Sequence, residues 1–143
     1  MGKKRIITKG EAGAEAAGGT PAVARSKKKI ESGILTVRAS YNNTTLTLAD
    51  DKGNVVAFSS SGALGFQGAK KGTPFAAAKV GETLGAKGLL MGMKEVSVVV
   101  RGVGSGRESA IRGFMSKGIM IKSIKDVTPV PFNGPRPKKP RRV

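Results

Sequence analysis

Apolar and polar residues alternate three times in quick succession along the chain. Over residues 34–40, Leu35, Val37 and Ala39 fall on one face and Thr36, Arg38 and Ser40 on the other, the period of a strand. Asn42, Asn43 and Thr44 carry turn chemistry, and residues 45–50 alternate again. Asp51-Lys-Gly-Asn54 predicts a tight turn before a third strand at 55–60. Links this short imply an antiparallel meander. The period then changes. Residues 61–72 read as a Gly- and Lys-rich loop. Thr73-Pro74 reads as N-cap and first helical residue of a helix that runs to about Lys87, with Gly88 as its stop. Ala77, Gly81 and Gly85 form a stripe with almost no side chain, suited to close packing on the sheet or to the backbone of a partner. Residues 95–100 are nearly all apolar, as for the centre of a sheet. A second helix is predicted from about Arg107 to Lys117, with Ala110, Ile111, Phe114 and Met115 toward the core, and a last strand at 119–124. The order is βββαβαβ: an α/β fold with a five-stranded mixed sheet, two helices and right-handed parallel crossovers.

Length changes this picture little: 143 residues allow one domain. Charge changes it more. There are 26 Lys+Arg against 9 Asp+Glu, a net charge of +17. Residues 1–29 carry eight basic and two acidic residues, and residues 122–143 carry seven basic and one acidic. Each end is therefore +6, and the middle, residues 30–121, is +5. The chain divides into a basic arm at 1–29, a domain at 30–128 and a tail at 129–143. The arm is Ala/Gly-rich and expected to be disordered in isolation. The tail holds five of the seven prolines, which favour an extended chain. One such tail could be a solubilising or localisation signal. Two on one small domain point to a polyanion, first of all nucleic acid.

The composition also excludes chemistry. Cys and His are absent, which removes disulfides, thiolate nucleophiles, imidazole bases and Cys/His metal sites. One tyrosine, five phenylalanines and no tryptophan argue against binding through many stacked aromatics. No apolar run approaches the ~20 residues of a membrane span. The basic start, Met1-Gly-Lys-Lys-Arg5, lacks the apolar segment of a secretory signal. Asp50-Asp51 sits in a hairpin turn, and Ser26-Lys-Lys-Lys29 matches S-x-x-K only by letter. No nucleophile, base and orienting group can be assembled, so no enzyme, cofactor or metal is expected.

Glycine is abundant, 21 residues, and much of it lies in two loops. The junction at 101–107 resembles a dinucleotide fingerprint, but Arg107 stands where its third glycine should be. The loop at 61–72 resembles a Walker A loop in composition only. Both suit phosphate by other means: a helix N-terminus flanked by Arg101 and Arg107, and a chain with Gly62, Gly65 and Gly68 beside Lys70 and Lys71. A plain tight turn is the competing reading of the first. Phe66 either stacks on a base or sugar or tucks into the core.

Several motifs in order carry a resemblance over about residues 30–143. They are Tyr41-Asn-Asn-Thr44, Ser61-Gly62 through Gly65-Phe66 to Thr73-Pro-Phe-Ala-Ala77, Val100-Arg-Gly-Val-Gly-Ser-Gly-Arg107 with Glu108 and Ile111-Arg112, and Ile124-Lys-Asp-Val-Thr-Pro-Val-Pro131 with Asn133-Gly134. The chain resembles the bacterial form of the universal small-subunit ribosomal protein eleven family. That resemblance implies a ribonuclease-H-like fold without the enzyme's carboxylates. It implies a cytoplasmic ribosomal protein that binds small-subunit ribosomal RNA in the platform. The messenger exit path, the E site and the Shine–Dalgarno helix would lie nearby. Platform and head proteins, including the protein seven family, would be neighbours; a membrane or a second copy of the chain would not. The family tail usually has a His before Asn-Gly and a Cys after it. Phe132 and Pro135 stand there, so roles resting on those side chains do not carry over. Asn133-Gly134 remains a candidate for deamidation and isoaspartate formation.

The expected RNA contacts are Asn42, Asn43 and Thr44 in the first turn, and Ser60, Gly62, Gly65, Phe66, Gly68, Lys70 and Lys71 in the first glycine loop. Arg101, Gly104, Ser105, Gly106 and Arg107 follow at the second helix, and Asn133, Arg136, Lys138, Lys139, Arg141 and Arg142 in the tail. A DNA-binding architectural protein would share the charge, but no groove-reading element is evident. A nucleotide-dependent enzyme would need a completed glycine fingerprint or metal-binding carboxylates.

Overall fold

The structure, a computed structural model, describes residues 29–142. The disordered arm expected over 1–29 lies outside the described residues, apart from Lys29. The elements are β1 (Ser32–Ala39), β2 (Thr44–Asp50), β3 (Val55–Ser60), a 3-10 turn (Gly68–Gly72), α1 (Pro74–Leu90), β4 (Glu95–Arg101), α2 (Gly106–Met115) and β5 (Met120–Asp126). The five strands form one sheet in the order β3-β2-β1-β4-β5. β1 to β3 pair antiparallel, and β4 pairs parallel with both β1 and β5. The mixed sheet with two helices is the α/β fold that the alternation predicts.

Alternation decides which face is buried. Leu35 is in register with Leu48 and Val98, and Val37 with Leu46 and Val100, so apolar rows run across three strands. Ala77, Val80 and Leu84 of α1, and Ala110 and Phe114 of α2, close over them. Phe114 is fully buried, and truncating it to alanine would cost about 3–5 kcal/mol. The helix layer lies over one side of the sheet: α1 packs on β2 and β3, and α2 mainly on β1. β5 is left as an open edge with Met120 and Ile124 exposed. A register shift opposite Val96 and Ser97, and the charges of Lys122 and Lys125, guard that edge against further pairing.

Two sequence expectations are corrected here. Helix α1 does not stop at Gly88 but continues to Leu90. Gly88 is buried inside it, beneath Ile119 and Leu48, and the chain turns at Gly92, whose φ of 85° suits glycine. The stripe Ala77, Gly81, Gly85 packs mainly on α2 and not on the sheet. A Cβ on Gly81 would lie 2.3 Å from the Ala110 carbonyl oxygen, and one on Gly113 would lie 2.3 Å from that of Ala78. The missing side chains let the two helix backbones touch. The other boundaries differ by one or two residues: β1 starts at Ser32, α2 spans Gly106–Met115, and β5 extends to Asp126.

Candidate nucleic-acid interface

Three loops and the tail meet beyond the carboxyl ends of β1, β3, β4 and β5. The first is the 40–43 turn. The Ser40 N–H donates to the Asn43 carbonyl at 2.9 Å, and the Asn43 N–H donates to Ser40 Oγ at 3.1 Å. The Ser61 hydroxyl donates to Asn43 Oδ1 at 2.5 Å, tying this turn to the first glycine loop. Ser105 ties in the second: its hydroxyl donates to the Gly72 carbonyl at 2.9 Å instead of capping α2. Gly72 in turn lies so close to the Tyr41 carbonyl that a Cβ would stand 2.1 Å from it. The sequence-predicted residues of the turn, the first glycine loop and the second helix are thus brought together.

Their roles divide once burial is known. Asn42, Gly62, Gly65, Gly68, Lys70, Arg101 and Ser105 are exposed, and Ser60, Asn43, Phe66 and Lys71 are half-buried. Thr44 is corrected as a direct contact: it is 1% exposed, on the inward face of β2 beneath Gly106. Gly104 and Gly106 are buried as well. A Cβ on Gly102 would lie 2.1 Å from the Ala39 carbonyl oxygen, and one on Gly104 2.3 Å from that of Ser40. The N–H of Gly104 bonds Ala39, and that of Gly102 bonds the Thr128 hydroxyl. The glycines at 102 and 104 therefore serve a tight turn, and their N–H groups are not free for phosphate. Phe66 neither enters the core nor stands free. It meets Phe75 edge to face, with ring centroids 6.1 Å apart, and Lys79 lies 5.8 Å from the Phe75 ring.

Arg107 is occupied. Its Nη1 donates to the Gly102 carbonyl at 2.5 Å, and its Nη2 donates to Asp126. Asp126 also accepts from the Thr128 hydroxyl at 2.6 Å and the Thr128 N–H at 2.9 Å. The Thr128 hydroxyl, then the Arg107 guanidinium, hold the Asp126 carboxyl down to about 2 from its ordinary 3.8. This clamp joins the start of α2, the turn after β4 and the root of the tail. Its side chains are 32% and 51% exposed, so the ion pair alone is weak. Its consequence is geometric, because it fixes where the tail departs. Sequence reasoning missed it, since Asp126 seemed one acid in a basic stretch.

Beyond Val127 the described chain has no helix or strand, and Asn133, Arg136, Lys138, Lys139, Arg141 and Arg142 are all exposed. Asn133 adopts a positive φ of 51°, which asparagine tolerates better than most residues. Sequence reasoning also passed over Arg38 and Tyr41 as contacts. Arg38 stands on the outward face of β1 in register with Arg101, and Tyr41 is 79% exposed. The signal for Arg38 was its place on the polar face of an alternating strand, legible only once Arg101 was known to lie beside it. Among the described residues no group of acidic side chains could hold a metal ion, and no helix is long and apolar enough to cross a membrane.

The sequence model of the ribosomal protein S11 family matches residues 33–142. The chain belongs to that family. Membership in the ribosomal protein S11 family makes it a structural protein of the small ribosomal subunit, in a non-enzymatic family. Membership also implies the partners, small-subunit ribosomal RNA and ribosomal proteins. The match begins at β1, runs through all three loops and takes in the basic tail.

Proposed function

We propose that the chain binds ribosomal RNA in the platform through the carboxyl end of its sheet, with the C-terminal tail laid along phosphates. There it helps form the messenger exit path near the E site, beside the Shine–Dalgarno helix. Its neighbours include platform and head proteins, among them the protein seven family. It works in cytoplasmic ribosomes as a single copy, without an activity of its own. The observation that carries this is the gathering of the 40–43 turn, both glycine loops and the root of the tail at one end of the sheet. Around it stand Arg38, Lys70, Lys71 and Arg101, none with a carboxylate in ion-pair range among the described residues. Rigid loops would supply shape, and the tail would supply charge. That division suits RNA read mainly by backbone and form. In the tail, Asn133 is the proposed site of deamidation to isoaspartate, because Gly134 leaves the following N–H unhindered.

The test is cofractionation of tagged chain with the small subunit through a high-salt wash, followed by hydroxyl-radical footprinting from the 40–43 turn and from residue 136. Retention with cleavage of platform RNA and of RNA lining the messenger exit is expected. Loss of the chain in the wash, or cleavage elsewhere on the subunit, refutes the placement.

A further inference from the structure

We infer that the crevice between the carboxyl ends of β1 and β4 takes one unpaired nucleotide of RNA, its phosphate on Arg38 and Arg101 and its base on Tyr41. This rests on the RNA-binding reading and narrows it to one place and one state of the RNA.

Beyond their carboxyl ends β1 turns toward β2 while β4 runs into α2, with Gly102 and Gly104 still laid against the Ala39 and Ser40 carbonyls. Parallel neighbours whose connections leave in different directions are where open α/β sheets leave room for a ligand. Here the room is an open crevice of about 350 Å³ walled by Arg38, Tyr41, Arg101, Val103, Thr128 and Pro129. Arg38 and Arg101 are register partners. Adjacent strands lie about 4.8 Å apart, so two guanidinium groups rise side by side from the face without helices. Both are exposed, and neither has a carboxylate in ion-pair range among the described residues. Side-by-side like charges repel, and an anion between them removes that cost. Two planar forks of N–H donors match phosphate oxygens better than ammonium groups would.

Tyr41 supplies the second half of the site. A ring 79% exposed is held in water on a turn that cannot relax, locked by the Ser40–Asn43 bonds and by Gly72 beneath its carbonyl. A base stacks on such a ring only when it has left a duplex. Val103 and Pro129 give the crevice apolar walls, and Thr128 is held in place by Asp126. The Arg107–Asp126 clamp thereby also fixes one wall of the crevice.

Tyr41 is the only tyrosine and there is no tryptophan, so the chain's own emission reports on this site alone. Full-length chain is titrated with a short single-stranded oligoadenylate and with a blunt RNA duplex. Tyrosine emission is followed beside the anisotropy of labelled RNA. Saturable quenching by the single strand is expected, with none from the duplex although the duplex binds. Tyr41→Ala weakens single-strand binding about 5- to 150-fold, and Tyr41→Phe restores it. Arg38→Gln with Arg101→Gln abolishes the quenching, while circular dichroism stays unchanged because both side chains are exposed. RNA that binds without quenching, quenching by the duplex, or equal quenching by a poly-glutamate peptide overturns the nucleotide site and leaves the RNA-binding reading standing. Failure of both RNAs to bind overturns that reading, and this site with it.

Discussion

Glycines at two positions of α1 should respond to the same substitution with opposite signs. Gly81→Ala places a Cβ 2.3 Å from the Ala110 carbonyl oxygen and 2.8 Å from the Phe114 nitrogen, both backbone atoms of α2. An ordinary carbon–oxygen contact is about 3.3 Å, so the helices must part by about 1 Å. A gap of that size forfeits a quarter to a half of each contact it opens. Overpacking costs typically about 1–3 kcal/mol, and a collision with fixed backbone belongs at the upper end. Alanine's better helix propensity returns about 1 kcal/mol. The net loss is about 2 kcal/mol, or a Tm lower by about 8–16 °C for a domain of this size. Gly88→Ala meets only side-chain ends, with Ile119 Cδ1 at 3.1 Å and Leu48 Cδ2 at 3.5 Å. There propensity wins, and Tm rises by about 2–8 °C. Thermal melts followed by far-UV circular dichroism decide the matter. If Gly81→Ala stabilises as much as Gly88→Ala, propensity alone governs α1 and the two backbones are not in contact.

Other perturbations probe the clamp, the tail and the buried turn. Asp126 keeps its charge in the folded chain down to about 2, so the clamp's contribution is complete above pH 3.8 and fades between 3.8 and about 2. Asp126→Asn should lack that step in acid denaturation; curves that fall in parallel would show that Asp126 carries none of it. Deleting residues 135–143 should flatten the salt dependence of RNA binding, measured by filter binding. The log–log slope should fall by about 0.7–0.9 for each phosphate that the shortened chain no longer neutralises. An unchanged slope would mean that the tail touches no phosphate. Thr44 Oγ1 is buried without a partner among the described residues, so Thr44→Val should raise Tm and leave RNA affinity alone. A fall in affinity without a fall in stability would return Thr44 to the RNA surface. Isoaspartate should accumulate at Asn133 on storage and vanish in Asn133→Gln, as peptide mapping would reveal.

Local pattern revealed what local physics controls. The third strand was readable to the residue, 55–60, because its turn and its end are both marked in sequence. What pattern could not reveal was the partner of each small residue. Gly88 and Gly92 look alike in a string, yet one lies buried under Ile119 and the other ends the helix with φ 85°. Gly81 looked fit for any close surface, and only the packing of α2 selects one. Arg107 carried the charge and place of a phosphate ligand. Its counter-charge sits 19 residues away at the end of an edge strand, where spacing finds an acid in a basic stretch but not its partner. Arg38 lay in plain view on a polar face, but the arginine beside it comes from a strand some sixty residues later. The candidate site was therefore legible as a set of loops and not as a set of contacts.

The glycines of the two loops turn out to be of two kinds, and that difference bears on how RNA is held. Gly65 and Gly68 have positive φ and open space where a side chain would be. Gly72, Gly102 and Gly104 lie against backbone carbonyls of the 39–41 segment. The first pair leaves a surface that a phosphate chain can approach closely. The second group removes freedom, welding the 40–43 turn to both loops so that the backbone carrying Tyr41, Arg38 and Arg101 keeps one arrangement. Charge without position lies in the tail, and position with modest charge lies in the crevice. Phosphate contacts from an extended tail would raise affinity for any RNA and fall away with salt. A pair of arginines beside a ring, all rooted on fixed backbone, would choose where along the RNA that tail is laid, because only an unpaired nucleotide fills the crevice.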